Sequence, residues 1–197
     1  EARAFDPLPF VDSCTQLNLN FDVLQQNDAA EFWDKLIDQL EAGLKGTPSE
    51  GLLEDECFGG RIVYQKIALK EPSLREERKE PFVKLEVDVK PTLLEGLDDF
   101  IKGEVMDGEN QVSWEPPLVP EACKKDTLRR CCLGQLPNLL AIALKRFTLD
   151  YETFETVKLQ DRCEFPLALN VKPYTQAGLD LKEAGEDMSS PEHANDA

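Results

Sequence analysis

The spacing of the apolar residues changes once along this chain, from a helical period to a strand-like period. Asp28 and Glu31 have the spacing of a capping box, and apolar residues then recur at helical intervals until Gly43. This pattern predicts a helix over residues 29–42. From Ile62 onward, runs rich in β-branched and aromatic residues are typical of strands. A helix followed by a series of strands indicates an α+β fold.

Other elements are indicated by the same kinds of signal. We predict a short helix from Pro9 to Leu17 and another after the capping box that Thr92 and Glu95 form. The highly charged segment 70–80 is predicted to be a solvated loop or the tip of a hairpin. Strands are predicted at residues 62–64, 82–89, 128–133, 139–147, 151–159 and 167–171.

The segment from Leu139 to Phe147 is the most continuously apolar of these strands. Because both faces of such a strand must be covered, we expect it to be a central strand, with residues 151–159 as its hairpin partner. After Tyr174 large apolar residues become rare and acidic residues accumulate. Residues 176–197 are therefore expected to form a disordered acidic tail or an insertion.

Composition and charge argue against several classes of function. The 197 residues include 39 acidic and 22 basic ones, and the formal net charge is -17. Such a chain repels phosphate backbones and anionic lipid, so we expect neither nucleic acid nor a membrane as its partner. No apolar run approaches the roughly 20 residues that cross a bilayer, and residues 1–6 lack a signal-peptide layout. We expect a soluble intracellular protein of the cytoplasm, the nucleus or both.

The cysteine and histidine content argues against a self-contained active site. No two cysteines have the Cys-x-x-Cys spacing of a structural zinc site, so we predict no metal, no other cofactor and reduced, buried thiols. A cysteine nucleophile needs a base, usually a histidine, that forms its thiolate. The single histidine, His193, lies in a polar segment near the end of the sequence, and we assign it no catalytic role. The cysteines are Cys14, Cys57, Cys123, Cys131, Cys132 and Cys163.

Several short runs, each a weak signal alone, occur together in a characteristic order. They are Gln26-Asn27-Asp28-Ala29-Ala30-Glu31-Phe32, Phe58-Gly59-Gly60, Leu136-Pro137, Leu144-Lys145-Arg146-Phe147 and Phe165-Pro166. In this order and approximate spacing, over residues 6–175, the chain resembles an internal part of the catalytic domain of the ubiquitin-specific proteases. The stretch 9–41 is most similar to the large fat-facets-type branch of that family.

The resemblance implies a papain-like cysteine protease fold, in which a thumb, a palm and fingers grip ubiquitin. Residues 1–50 would be the remainder of the helical thumb, residues 51–175 the β-rich fingers and palm, and residues 176–197 the acidic tail. The family's nucleophilic cysteine and its base histidine lie in two segments that this sequence does not match, so the fold would be incomplete. No residue inherits a catalytic role, and the chain by itself is expected to be inactive.

Two positions inherit a ubiquitin-binding role from the resemblance. Asp28 corresponds to an acidic residue of the thumb that contacts the arginine-rich tail of ubiquitin. Asp28 could equally be only the helix cap, and one carboxylate can serve both purposes. Phe147 corresponds to the aromatic residue beside the channel for that tail, and a purely structural role in the core is an equal alternative.

Many members of the family hold zinc in the fingers with two Cys-x-x-Cys pairs. The corresponding regions, around residues 68–72 and 114–117, contain no cysteine in this chain. This difference predicts that the zinc site is lost.

The resemblance leaves three hypotheses about function. The first is a part of a cysteine-type deubiquitinase that hydrolyses the bond after the C-terminus of ubiquitin, with ubiquitin or ubiquitinated proteins as partners. The second is a catalytically inactive ubiquitin-binding or scaffolding module. The third is an acidic interaction domain that no longer binds ubiquitin.

Overall fold

The computed structural model describes residues 6–19 and 28–185 of the chain. Two helices precede the strands and two further helices follow or interrupt them, so the fold is α+β, as predicted. The helices are α1 (Leu8–Gln16), α2 (Ala29–Leu44), α3 (Leu93–Lys102) and α4 (Gln176–Glu183). The strands are β1 (Gly60–Ala68), β2 (Arg75–Phe82), β3 (Leu85–Asp88), β4 (Glu104–Met106), β5 (Val112–Trp114), β6 (Cys123–Lys125), β7 (Thr127–Gln135), β8 (Ile142–Lys145), β9 (Phe147–Leu149) and β10 (Thr156–Lys158).

The two helices with predicted caps begin where the sequence indicates. At the start of α2 the Asp28 carboxylate accepts a hydrogen bond from the Ala30 N–H at 2.8 Å. At the start of α3 the Thr92 hydroxyl oxygen accepts one from the Glu95 N–H at 3.2 Å. Helix α2 continues two residues beyond its predicted end because Gly43 stays helical, and the chain first takes a positive φ, of 76°, at Gly46. Local side-chain chemistry therefore fixes where both helices begin.

The largest sheet has four antiparallel strands in the order β2-β1-β7-β4. The prediction that residues 70–80 form a solvated loop or the tip of a hairpin is confirmed for residues 70–74, which join β1 to β2, and is wrong over residues 75–80, which belong to β2. A strand at the edge of a sheet can carry charged side chains, because they reach solvent and pair with the neighbouring strand. In such a pair, the ammonium nitrogen of Lys66 on β1 lies 2.7 Å from a carboxylate oxygen of Glu76 on β2.

The apolar segment 139–147 is not the central strand that we predicted. It forms the short β8, which pairs in parallel with β3, and then β9. Between them the Arg146 N–H donates back to the Leu144 carbonyl at 2.8 Å, and this tight turn interrupts the strand. The central strands of the large sheet are β1 and β7. The predicted hairpin is confirmed in part, because β10 pairs antiparallel with β9, which shares only Phe147 with the strand predicted at residues 139–147.

The strand predicted at residues 167–171 is absent from the described structure. The Asn170 side chain accepts a hydrogen bond from the Lys172 N–H at 3.1 Å and turns the backbone into a short 3-10 helix, Lys172–Tyr174. The alternation of Leu167 and Leu169 is nevertheless real, because Leu167 is fully exposed and Leu169 packs against the main core.

Helix α4 corrects the prediction of disorder for residues 176–183. Thr175 caps the helix, since its hydroxyl oxygen accepts a hydrogen bond from the Gly178 N–H at 3.1 Å. Leu179 is buried against Val63 and Cys132 of the large sheet. The cap, the Leu179 contact and ion pairs from Arg130 to Glu183 and from Arg75 to Asp180 thus hold a segment whose composition is mostly polar. His193 and the rest of residues 186–197 lie outside the described residues.

Besides the cluster of Val63, Cys132 and Leu179, two clusters of buried apolar side chains hold the strands of the described residues together. The main one connects β3, α3, β7 and the segment before α4 through Leu85, Val87, Leu97, Leu133 and Tyr174. The other lies at the far end of the β1–β2 hairpin, where the Trp114 indole N–H donates to the Thr127 hydroxyl oxygen at 3.0 Å. It contains Ala68, Leu74, Trp114 and Val119.

A helix that crosses a membrane must be both long and strongly apolar. Among residues 6–19 and 28–185, no helix is both long enough and apolar enough for this.

Replacing Leu179 by alanine tests whether α4 is a folded part of the molecule. We expect Leu179→Ala to lower the free energy of unfolding by about 2–4 kcal/mol, because it removes a buried side chain from a packed site. Urea-induced unfolding followed by circular dichroism measures this change. Lys182→Ala, on the exposed side of α4, is the matched control and should change the free energy by less than about 0.5 kcal/mol. Equal stability of Leu179→Ala and wild type would contradict the packing of α4.

The reactivity of Cys132 tests the burial of the centre of the sheet. Its side chain is fully buried, and burial raises the pKa of the thiol to about 11, although nearby Arg130 acts in the opposite direction. Alkylation requires the thiolate, so at pH 7.5 iodoacetamide should modify Cys132 roughly 100-fold more slowly in the folded chain than in urea. Peptide mapping by mass spectrometry gives both rates. Equal rates would show that β7 is accessible to solvent.

Candidate functional site

A cavity of about 800 Å³ lies between the first turn of α2 and the strands β3, β8 and β9. Both residues for which we predicted a ubiquitin-binding role, Asp28 and Phe147, line this cavity although 119 positions separate them in the sequence. The other lining residues are Ala29, Ala30, Trp33, Lys84, Glu86, Ala141, Ile142, Ala143, Leu144, Lys145, Arg146 and Lys158.

Asp28 lies at the helix side of the cavity. One of its carboxylate oxygens accepts the capping hydrogen bond from Ala30, so the role of Asp28 as a helix cap is confirmed. A carboxylate can accept several hydrogen bonds, and Asp28 is exposed, so the cap leaves acceptor capacity that a bound cationic group can use. A role in binding is therefore compatible with the cap, and it stays a prediction.

Phe147 lies on the opposite side of the cavity, at the start of β9. Its side chain is 42% exposed, and in the described structure it belongs to none of the buried clusters. The Lys158 ammonium, which is paired with it across the β9–β10 hairpin, lies 5.6 Å from the centre of the ring. The exposed position argues against a purely structural role in the core of this chain.

Two residues of the cavity were missed by reasoning from the sequence. Lys84 lies between β2 and β3 with only 10% of its side chain exposed, and its ammonium lies 2.5 Å from Asp34 and 3.3 Å from Glu86. Trp33 packs edge-on against Phe58, with 4.9 Å between the ring centres. The signal for Lys84 was a single charge within the apolar run 82–85, where it needs a partner.

The charges around the cavity are separated by side. Carboxylates lie along the helix and β3, where Lys84 pairs with Asp34 and Glu86, whereas the other lysines lie along β8 and β10. The Lys145 ammonium forms an ion pair with the Asp88 carboxylate, with 3.3 Å between the nitrogen and the oxygen. The helix side of the cavity therefore favours a cationic group, and the aromatic ring of Phe147 offers an apolar surface across from it. The residues of the two sides are Asp28, Asp34 and Glu86 on the first, and Lys145 and Lys158 on the second.

Two further cavities adjoin this one on the face of the large sheet. The nearer, of about 500 Å³, shares Lys84 and Lys145 with the first cavity. The farther, of about 690 Å³, shares Tyr64 and Cys131 with the nearer. On this face the Arg78 guanidinium lies 5.3 Å from the centre of the Tyr64 ring. The three cavities make one concave surface from α2 to the β1–β2 hairpin.

Neither Cys131 nor Cys132, the two neighbouring cysteines of β7, is activated for catalysis. Burial raises the pKa of the Cys131 thiol, and its sulfur donates to the Phe100 carbonyl at 3.2 Å. The raised pKa of Cys132 has the same cause. Activation requires the opposite change, a lowered pKa from a neighbouring base. The only histidine of the sequence, His193, lies outside the described residues.

The sequence is similar to a known family along nearly its whole length. The sequence model of the family "Ubiquitin carboxyl-terminal hydrolase" matches residues 1–187. Ubiquitin carboxyl-terminal hydrolase 9X of Mus musculus is 37% identical over 159 residues, which cover 79% of this chain and 6% of that protein. Ubiquitin carboxyl-terminal hydrolase 24 of Mus musculus is 35% identical over 170 residues, which cover 84% of this chain and 6% of that protein.

The fat-facets-type resemblance is supported by a further relative. The probable ubiquitin carboxyl-terminal hydrolase FAF of Drosophila melanogaster is 36% identical over 159 residues, which cover 79% of this chain and 5% of that protein. The chain thus spans about 6% of the length of the curated relatives that it matches first.

The fold is similar to solved structures as well. A chain of the SAGA Ubp8/Sgf11/Sus1/Sgf73 DUB module bound to ubiquitin aldehyde has a TM-score of 0.63 and 26% identity, covering 77% of this chain and 33% of that chain. The same module bound to monoubiquitin gives the same TM-score and identity, covering 77% and 34%. The α+β arrangement is therefore the papain-like fold with thumb, palm and fingers that the resemblance implied. The chain belongs to the ubiquitin carboxyl-terminal hydrolase family, within its ubiquitin-specific proteases.

Proposed function

We propose that this chain is the ubiquitin-gripping part of a cysteine-type deubiquitinase, whose nucleophile and base lie in other segments of the protein. The reaction is hydrolysis of the bond after the C-terminus of ubiquitin, in the cytoplasm, the nucleus or both, with ubiquitin or ubiquitinated proteins as partners. The observation that carries this proposal is that Asp28 and Phe147 line one cavity. The solved neighbours bound to ubiquitin aldehyde and to monoubiquitin support it.

The chemistry of the cavity fits an extended peptide that carries arginine side chains. The Asp28 carboxylate can accept charge-assisted hydrogen bonds from a guanidinium, which are stronger than neutral ones. Phe147 offers an apolar face along which the peptide backbone can lie. The cavity, of about 800 Å³, is in the size range of sites that enclose a small ligand or a few residues of a peptide.

The alternative function is a catalytically inactive ubiquitin-binding or scaffolding module. It is favoured by one observation, that burial raises the pKa of the thiols of Cys131 and Cys132, which is the opposite of what a nucleophile requires. The two functions share the cavity and differ in the rest of the protein. The coding sequence on either side distinguishes them, because the deubiquitinase requires a Gly-Asn-Thr-Cys-like box upstream and a Gly-His-Tyr-like box downstream.

Replacing Asp28 by asparagine tests the cavity while preserving the fold. Asparagine caps helices as well as aspartate does, so Asp28→Asn should leave the free energy of unfolding within about 0.5 kcal/mol of wild type. Loss of the negative charge should weaken ubiquitin binding by about tenfold, the size expected for one charge-assisted hydrogen bond. Isothermal titration calorimetry of the 197-residue chain with ubiquitin measures the affinity.

The same titration with Phe147→Ala should also show weaker binding, because an exposed aromatic surface is removed. Thr92→Ala, which removes the cap of α3 away from the cavity, is the control and should leave the affinity unchanged. Unchanged affinity in both Asp28→Asn and Phe147→Ala would refute the cavity as the binding site. Absence of any ubiquitin binding by the wild-type chain would refute the proposed function of this part.

A further inference from the structure

Lys84 joins the two sides of the cavity. It follows β2 and precedes β3, and its ammonium reaches across to helix α2. There it donates to the Ala30 carbonyl at 3.3 Å and to the Asp34 carboxylate at 2.5 Å. A third acceptor, the Glu86 carboxylate, lies at 3.3 Å on β3. An ammonium has three N–H donors, so these three acceptors satisfy it completely.

The environment of Lys84 keeps it charged and in place. Burial acts against the charge, but the hydrogen bond and charge of Asp34, followed by those of Glu86, outweigh it and raise the pKa of Lys84. The link is therefore complete at neutral pH and is lost only when the pH rises beyond the ordinary range for lysine. Both partner carboxylates are about half exposed, whereas the lysine side chain is 10% exposed. Lys84 is thus the buried centre of the link.

Lys84 acts on both sides of the cavity through short, direct connections. On the helix side it holds the Ala30 carbonyl, and the N–H of the same residue donates to the Asp28 carboxylate. On the strand side, Lys84 precedes β3, which pairs residue by residue with β8 from Leu85–Ile142 to Asp88–Lys145. Strand β8 leads through Arg146 directly to Phe147. One lysine thus connects the helix turn next to Asp28 with the strand pair that leads to Phe147.

The link also preserves the charge that a cationic ligand requires. One ammonium lies between two carboxylates, so the group formed by Lys84, Asp34 and Glu86 keeps a net charge of about -1 beside Asp28. A neutral side chain at position 84 would leave two carboxylates to repel each other. The expected response is movement of α2 away from β3, which widens the cavity.

We propose that Lys84 is a positioning residue of this cavity, which holds the first turn of α2, and with it Asp28, at a fixed distance from β8 and Phe147. The proposal rests on the proposed function, because the cavity must bind ubiquitin for its width to matter. Lys84 acts through Asp28 and not on the ligand, since its own donors are already occupied.

The test combines ubiquitin titration with hydrogen exchange on Lys84→Met. Calorimetry should show affinity about tenfold weaker than wild type, in line with the loss of a charged hydrogen bond. Hydrogen exchange followed by mass spectrometry should become faster in residues 30–36 and remain unchanged in β1 and β7. Lys84→Arg should bind more tightly than Lys84→Met, because it keeps the positive charge between Asp34 and Glu86 although its planar guanidinium presents its donors in other directions.

Lys125→Met is the matched control. It breaks a lysine–glutamate pair of comparable length, 2.9 Å to Glu71, at the far end of the large sheet. Its ubiquitin affinity and the hydrogen exchange of α2 should equal those of wild type.

The double variant Asp28→Asn with Lys84→Met should bind ubiquitin no more weakly than Asp28→Asn alone, because Lys84 acts through Asp28.

The outcomes separate this proposal from the proposed function. If Asp28→Asn weakens binding and Lys84→Met does not, the role of Lys84 is wrong and the cavity stands. If the two substitutions weaken binding additively, or if Lys84→Met speeds exchange throughout the chain, Lys84 only stabilises the fold and the proposal is overturned. If wild type does not bind ubiquitin, the proposed function fails. In that case unchanged exchange in residues 30–36 of Lys84→Met would also overturn the positioning role.

Discussion

The pairing of β1 with β7 is the interaction on which the rest of the described structure depends. It joins residues about 70 positions apart, with Val63 opposite Cys132 and both side chains fully buried. Such a long-range pairing has a high entropic cost of loop closure, which the buried contacts must offset. Strand β2 then extends the sheet from β1 and β4 extends it from β7. Helix α4 covers the buried side through Leu179. The concave surface lies on the other face, where Tyr64 and Cys131 are neighbours.

The cavity with Asp28 forms between helix α2 and the two smaller strand pairs, β3–β8 and β9–β10. Leu85 and Val87 of β3 pack against Leu97 and Leu133, so the main core fixes β3 relative to the large sheet. The parallel partner β8 is thereby fixed as well. Lys84 adds a polar link from that core to α2. The predicted contacts for ubiquitin thus lie at the boundary of the packed core, where a rigid scaffold presents polar groups to a cavity.

Reasoning from the sequence was successful where structure is decided locally. The caps at Asp28 and Thr92 are each made by a hydrogen bond within three residues, so the sequence alone predicts where α2 and α3 begin. It failed where contacts between elements decide. The charged strand β2 is ordered by pairing with its hairpin partner β1, which its own charge pattern does not indicate, and α4 is ordered by contacts with Val63 and Cys132, which are distant in sequence. Both site residues were predicted from the resemblance, whereas Lys84 depends on Asp34, fifty positions away, and was missed.

The central claim is that this chain holds the C-terminal tail of ubiquitin without carrying the chemistry that cuts after it. The most direct test is to titrate the unlabelled chain into ¹⁵N-labelled ubiquitin and to follow the amide resonances by NMR. We predict that the largest chemical-shift changes occur along the arginine-bearing tail and that ubiquitin is not modified during the titration. Tail resonances that do not shift, while the chain is folded and in excess, would contradict the claim.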